Sequence, residues 1–321
     1  MPVQEEAHGA RPSTPPQVSV VIASASGCAY LAACLAALHR QTGDVCAEII
    51  VAGCAGAAVT AFVRQHYPSV RVIEFAQRAS IGELRRAAIL AARGDLVLIT
   101  EDHCIPAQDW LAAHLRAHRA HPRAVIGGAV ENGATQRRVD RAVYLCEYSA
   151  FAAPGATAQR MRGQDGAAPA RGLAASNISY RRSDLLAARA ALAHGYWETF
   201  LHPQLEAQGL RLVFDPGLVV QHKKHYTPGG FWHERYHYAR WYAGTRRAQM
   251  TPVRRLVYLL LSPLLPPLIL ARLARHLFRI RRHRRDFVRS FPYLLWFTLA
   301  WALGECAGYA AGAGDSKLHF S

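Results

Sequence analysis

Residues 101–104 read Glu101-Asp102-His103-Cys104, directly after the apolar run Leu96-Val97-Leu98-Ile99 and just ahead of Pro106. A strand buried on both faces gains nothing from acids and an imidazole at its carboxyl end, so this junction is a candidate chemical site. Glu101, Asp102 and His103 carry the oxygens and the ring nitrogen to hold Mg2+ or Mn2+, and such an ion would bridge the phosphates of a nucleotide. The plain alternative is a solvated loop after a strand. The surrounding elements have to decide between the two.

Those elements alternate. Val18-Ser19-Val20-Val21-Ile22 is a compact β-branched run that opens into the small-residue loop Ala23-Ser24-Ala25-Ser26-Gly27. Leu31, Leu35 and Leu38 at helical spacing predict a helix over residues 30–40. Glu48-Ile49-Ile50-Val51-Ala52 is a second strand entering Gly53-Cys54-Ala55-Gly56, and residues 58–66 read as its helix. A third strand over 70–75 and a helix over 81–92 lead back to the strand that carries Glu101. Alternation at this spacing implies an α/β fold with a parallel sheet and right-handed crossovers. Open sheets of that kind place ligands at the carboxyl ends of their strands. No Gly-x-Gly-x-x-Gly follows the first strand and no Gly-Lys-Ser/Thr occurs, so dinucleotide and P-loop readings lose their main support.

The order of these parts resembles the inverting family 2 glycosyltransferases with the GT-A fold. The likeness runs over residues 18–222, with a looser echo to 247. It rests on the opening strand and loop, the Glu-Ile-Ile-Val strand, the helix ending Ala92-Arg93-Gly94-Asp95, the acidic strand end followed by Pro106 and Trp110-Leu111, and the later Asn177-Ile178-Ser179-Tyr180-Arg181-Arg182.

The resemblance implies a Rossmann-like, mostly parallel sheet flanked by helices, and transfer of a sugar from a nucleotide-diphosphate donor to a hydroxyl. The family's metal-binding Asp-x-Asp falls on Glu101-Asp102-His103, which puts Glu101 and His103 at the ligand positions for Mn2+ or Mg2+. His in place of Asp makes such a site softer and one charge less negative. The family's catalytic base precedes an amphipathic helix ending in Gly. Here that register is Trp197-Glu198 ahead of Leu205-Glu206-Ala207-Gln208-Gly209, so the resemblance implies Glu198 as the base that takes the acceptor hydroxyl's proton. Taken alone, Glu198 would read as a carboxylate favoured at a helix N-terminus. His222, at the end of the run over 210–222, matches the segment that returns a His to the metal and is the third implied ligand. Lys223, Lys224 and His225 beside it could neutralise the leaving diphosphate or form a solvated basic turn.

Ser24, Gly53, Arg85, Asp102 and Lys223 complete the expected donor contacts. The fit is not uniform. The family's second strand ends in Asp-Asp-Gly-Ser, whose carboxylate helps hold the nucleoside, whereas this chain has Gly53-Cys54-Ala55-Gly56 there. The first loop is Ala23-Ser24-Ala25-Ser26 where the family usually has Pro-Thr-Tyr-Asn. Nucleotide recognition must therefore differ in detail. Arg85 and Arg86 could contact phosphates or line the surface. The segment around Asn177 looks like the one that shapes the acceptor pocket, and residues 152–172, rich in Ala, Gly and Gln, read as a mobile loop able to close over substrate.

Composition sets the remaining bounds. The chain has 321 residues and a net charge of +16, room for one large α/β domain and an appendage. A nucleic-acid partner is not expected, because the charge clusters at Arg272, Arg275, Arg279, Arg281, Arg282, Arg284, Arg285 and Arg289, between two apolar stretches. Such a patch reads as a contact with anionic lipid headgroups. The first stretch, 256–271, is broken by Pro263, Pro266 and Pro267 and flanked by Arg on both sides, which favours a segment that dips into the bilayer and returns. The second, 291–314, is longer but diluted by Gly and Glu305. A pair of amphipathic helices packed on the protein is the alternative. Between the two parts, Phe231 to Tyr242 packs aromatics, His and Arg into one expected helix, with Arg235 and Arg240 as phosphate candidates.

Seven Cys without a Cys-x-x-Cys pair fit a reducing compartment. Residues 1–17 read as a disordered leader rather than a signal peptide. The expected organisation is therefore a leader over 1–17, a GT-A domain over 18–247 and a membrane-associated helical region over 248–321. The expected location is the cytoplasmic face of the inner membrane, with a hydroxyl acceptor that includes lipid-linked ones. A catalytically silent relative that scaffolds an envelope assembly is the alternative from another class, kept alive by the altered Asp-x-Asp and the missing Asp-Asp.

Overall fold

The structure is a computed structural model that describes residues 4–5, 15–53, 56–153 and 167–320. Most of the expected leader, Cys54-Ala55 and the greater part of the expected loop over 152–172 lie outside the described residues. The chain forms two compact units. Among the described residues, one comprises 4–5, 15–53, 56–133, 151–153 and 167–223, and the other 134–150 and 224–320.

The first unit is one sheet with helices. Its strands are β1 (Gln4–Glu5), β2 (Val18–Ser24), β3 (Ala47–Gly53), β4 (Arg71–Glu74), β5 (Leu96–Glu101), β6 (Cys104–Pro106), β7 (Ala124–Asn132), β8 (Ala168–Pro169), β9 (Asn177–Arg181) and β10 (Arg211–His222). They lie in the order β1-β4-β3-β2-β5-β9-β7-β10-β6, with β8 paired to β10. The neighbours β4, β3, β2 and β5 are parallel, as the strand-helix alternation predicts, with Val21 opposite both Ile50 and Ile99. Every residue of β2 is buried, which explains its unbroken β-branched run. Helices α1 (Cys28–His39), α2 (Gly56–His66), α3 (Ile81–Ala91) and α4 (Trp110–Ala120) connect these strands or flank them. Each core side chain such as Ile22, Leu98 or Ile99, buried completely, contributes about 1.5–3 kcal/mol through its transfer from water.

Beyond β5 the sheet becomes mixed. Strand β9 runs antiparallel between β5 and β7, and Asn177 at its start is buried. The Asn177 amide donates to the carbonyls of Ala129 and Leu218, both at 2.9 Å, and its oxygen accepts from Trp110 Nε1 at 2.8 Å. His114 and His118 meet Ser179 Oγ at 2.8 and 2.9 Å. Burial holds these two imidazoles down, at about 4 and about 3, so they serve the sheet as neutral partners.

The second unit is helical: α5 (Arg138–Glu147), α8 (Pro228–Arg247), α9 (Pro252–Leu261), α10 (Leu265–Ile280) and α11 (Arg284–Ala311). The short helices α6 (Arg182–Ala187) and α7 (Glu198–Ala207) belong to the first unit. The helix expected around Phe231 to Tyr242 is therefore α8, and it sits within the helical unit. Thr227 caps it and Pro228 opens it. Asp140 accepts from His225 Nδ1 at 2.7 Å and from the Tyr226 backbone at 2.9 Å, and Arg235 pairs with Glu147 at 2.6 Å. Small residues let α11 approach α8 closely: a Cβ on Gly308 would lie 2.5 Å from the Arg240 carbonyl. Much of the stretch over 291–314 is thus spent on packing, with Leu294, Phe297 and Gly308 buried. Among the described residues one helical stretch, Pro252–Ile280, is long and apolar enough to cross a membrane.

Candidate functional site

The site forms where β5 ends and β6 begins. Strand β10 returns antiparallel to β6, with His222 opposite Cys104, and the Lys223 backbone N–H donates to the His103 carbonyl at 2.9 Å. That register brings His222 to His103, ring centroids 4.6 Å apart and edge to face. One oxygen of Glu101 and one ring nitrogen each of His103 and His222 lie within 4.8 Å of one another. One carboxylate oxygen and two imidazole nitrogens form a mixed set suited to Mn2+ and other borderline divalent ions.

Each ligand candidate is held by a neighbour. Arg85, on α3, pairs with Glu101 at 2.8 Å and is itself buried. His103 lies between two acids, with Nδ1 2.7 Å from Asp102 and Nε2 3.3 Å from Glu101. Burial alone would raise the Glu101 carboxyl, but His103, Arg85 and His222 together hold it far below the usual carboxylate range. Burial likewise opposes charge on His103, and the bonds to Asp102 and Glu101 overcome it and lift the imidazole above its ordinary value.

Asp102 faces inward. One of its oxygens accepts from Ser24 Oγ at 3.1 Å and from the backbone N–H groups of Ala25 and Ser26 at 2.9 and 2.7 Å, while the other meets His103. Asp102 and Ser24, both expected at the donor, therefore form the floor that ties the first loop to the second. Gly53 ends β3 opposite Ser24, and the Lys223 side chain is exposed.

Glu198 opens α7 half-buried. Its placement depends on α3, which starts with a capping box in which Ser80 and Glu83 satisfy each other's backbone N–H. The Tyr196 N–H donates to the Gly82 carbonyl at 2.8 Å, and Trp197 lies against Gly82. Tyr196 and His202 share hydrogen bonds with Tyr180 at 2.7 and 2.8 Å, so both sides of Glu198 are anchored. Burial pushes the Glu198 carboxyl up, Arg85 pulls it back, and Glu101 adds a further upward push.

Sequence reasoning missed Ser26, whose hydroxyl sits 3.3 Å from His103, and the Tyr180–Tyr196–His202 network. A Ser in a small-residue loop after a first strand is the available signal for Ser26. No local signal marks the Tyr network, because its members lie on separate elements.

The sequence profile of Glycosyl transferase family 2 matches residues 19–183, just over half of the 321, and the chain belongs to that family. No curated protein matches it by sequence. Among solved structures, GalNAc-T7 with UDP, GalNAc and Mn2+ superposes with a TM-score of 0.51 at 14% identity, covering 66% of this chain and 44% of that one. TarS residues 1–349 from S. aureus gives 0.46 at 15% identity, covering 70% and 64%. The chain thus spans less than half the length of the first and less than two thirds of the second. The fold is the α/β fold of the GT-A glycosyltransferases.

Proposed function

We propose that this chain transfers a sugar from a nucleoside diphosphate donor to a hydroxyl with inversion, assisted by Mn2+ or Mg2+. The observation that carries the reading is the convergence of Glu101, His103 and His222 within 4.8 Å, with Arg85 paired to Glu101. Glu101, His103 and His222 would hold the cation, whose charge would offset the departing diphosphate. Glu198, its carboxyl raised by burial, takes the acceptor proton as that oxygen bonds to the anomeric carbon and the bond to diphosphate breaks on the opposite face. The exposed Lys223 next to His222 adds positive charge for the same leaving group.

The acceptor side draws support from the helical unit. Val253, Leu256, Leu260 and Leu264 leave an apolar face uncovered on Pro252–Ile280, and Arg254, Arg255 and the cluster from Arg272 onward flank it. That combination suits an anionic bilayer surface on the cytoplasmic side, hence a lipid-linked acceptor and a role in envelope polysaccharide or glycolipid synthesis.

The test is calorimetric titration of nucleoside diphosphate sugars into detergent-purified protein, with and without Mn2+, alongside Glu101→Ala/His103→Ala. Metal-dependent binding of one donor that the variant loses is the expected result. A folded protein that binds no donor under any metal condition, and hydrolyses none, ends the transferase reading.

A further inference from the structure

A second cluster of metal-capable side chains lies within the helical unit. On α8, His233 and His237 stand one turn apart on one face, ring centroids 4.3 Å from each other. His319, just beyond the short turn Ser316–Leu318, stacks on His237 at 4.4 Å and meets His233 edge-on at 5.8 Å. One ring nitrogen from each of the three lies within 4.8 Å of the others. We propose that His233, His237 and His319 form a structural binding site for a borderline-soft divalent ion, Zn2+ above all, that clasps the segment over 312–320 to α8.

Simple packing of the tail needs no imidazole, and three of them in one place would repel one another if charged. Two observations point to a ligand instead. First, one ring nitrogen is already fixed in two of the three: His237 Nδ1 bonds Ser316 Oγ at 3.1 Å, and His319 Nε2 bonds Asp315 Oδ2 at 3.1 Å. Outer partners of this kind set the tautomer and turn the other nitrogen to the metal, and a carboxylate behind a histidine is a recurrent arrangement at zinc. Second, His233-Glu234-Arg235-Tyr236-His237 has the i, i+4 histidine spacing by which one helix supplies two zinc ligands. Glu234 lies 3.9 Å from the Lys224 ammonium, so the role assigned is a clasp rather than a hydrolytic centre.

The geometry is within reach. Tetrahedral ligation with Zn–N of about 2.0–2.1 Å brings ligand nitrogens to roughly 3.4 Å from each other. Side-chain rotation of an exposed His233 and half-buried His237 and His319 can close that difference. Arg240 is turned to the Gly312 carbonyl at 3.2 Å. Phe320 packs against Tyr238 and Trp241, which keeps His319 at the helix.

The test uses the full chain, stripped with chelator in detergent and titrated with Zn2+ against a chromophoric competitor. The expected result is a site whose Kd rises about a hundredfold or more in His237→Ala and in His319→Ala and about tenfold in Asp315→Asn. The same site persists in Glu101→Ala/His103→Ala, where Co2+ gives the visible bands of tetrahedral ligation and Zn2+ raises Tm. Asp315 is exposed, so Asp315→Asn reads the site even where a histidine variant fails to fold. Zn2+ affinity unchanged in the folded variants overturns the proposal. So does binding that disappears only with Glu101 and His103.

Discussion

Trp197 packs its indole onto the bare backbone of Gly82, so closely that a Cβ there would lie 2.5 Å from Cε2 of the ring. The residue that follows is Glu198, and three positions further along the α3 helix is Arg85. One close contact therefore ties the segment that carries the candidate base to the helix that carries Arg85.

Gly82→Ala must push Trp197 away. A displacement of about 1 Å at a reacting group costs on the order of 100-fold in rate. The expected outcome is a kcat lower by about that factor, with donor affinity nearly unchanged and the variant still folded by circular dichroism. A variant with normal kcat would separate Trp197 from the chemistry.

Glu198→Gln should lower kcat by roughly 10²- to 10⁴-fold while leaving metal and donor binding in place. A base works only when ionised, and burial raises this carboxyl. Activity of the unaltered protein is thus full at higher pH and falls as pH drops through a value above that of an ordinary glutamate. The acid limb should vanish in the variant. An acid limb at the usual glutamate position, or one that survives in Glu198→Gln, argues for another base.

Glu48 links three elements away from the site. It accepts from Ser19 Oγ at 2.6 Å, from Arg71 at 2.7 Å and from the Arg93 backbone at 2.6 Å. Burial pushes its carboxyl up, but these bonds more than reverse that and lower it. A lowered carboxylate stabilises the fold above its unfolded pKa, and that contribution is lost as pH falls through the folded value. Glu48→Ala should cost about 2 kcal/mol at neutral pH, measured by denaturant unfolding, and the gap to the unaltered protein should narrow in acid.

Asn177→Ala would leave two strand carbonyls, Trp110 and His114 without their shared partner. Each buried group so stranded costs about 1–3 kcal/mol, enough to unfold the sheet half that contains β9. Loss of soluble expression, or a large drop in Tm, is the expected reading. A Tm within two or three degrees of the parent would mean water replaces the amide.

The parallel half of the sheet was legible because strands buried on both faces must be apolar and β-branched, as 18–22 and 96–99 are. The antiparallel entry of β9 was not, since neighbours in a sheet are chosen by pairing across the whole chain and Asn177-Ile178-Ser179 has no local mark of direction. Motif order alone points to Glu101, His103 and His222, and the folded chain brings those three together. Asp102 shows the limit: successive side chains at a strand end point to different sides, and residue type does not say which side holds the ligand. The tie from Asp102 to Ser24, Ala25 and Ser26 exists only once two distant loops meet. Similarly, the helix over 228–247 carries signals for both domain parts, and contacts alone assign it to the helical unit.

Strand β10 also imposes an order of events. Glu101 and His103 leave the ribosome long before His222, and their partner arrives only when the last strand of the sheet zips onto β6 and β7. If Glu101, His103 and His222 hold the proposed cation, the early loop alone would supply only the first two of them. On that reading, full-strength metal capture would report that the last strand of the sheet has closed, and a chain stalled before residue 222 would bind the cation only weakly.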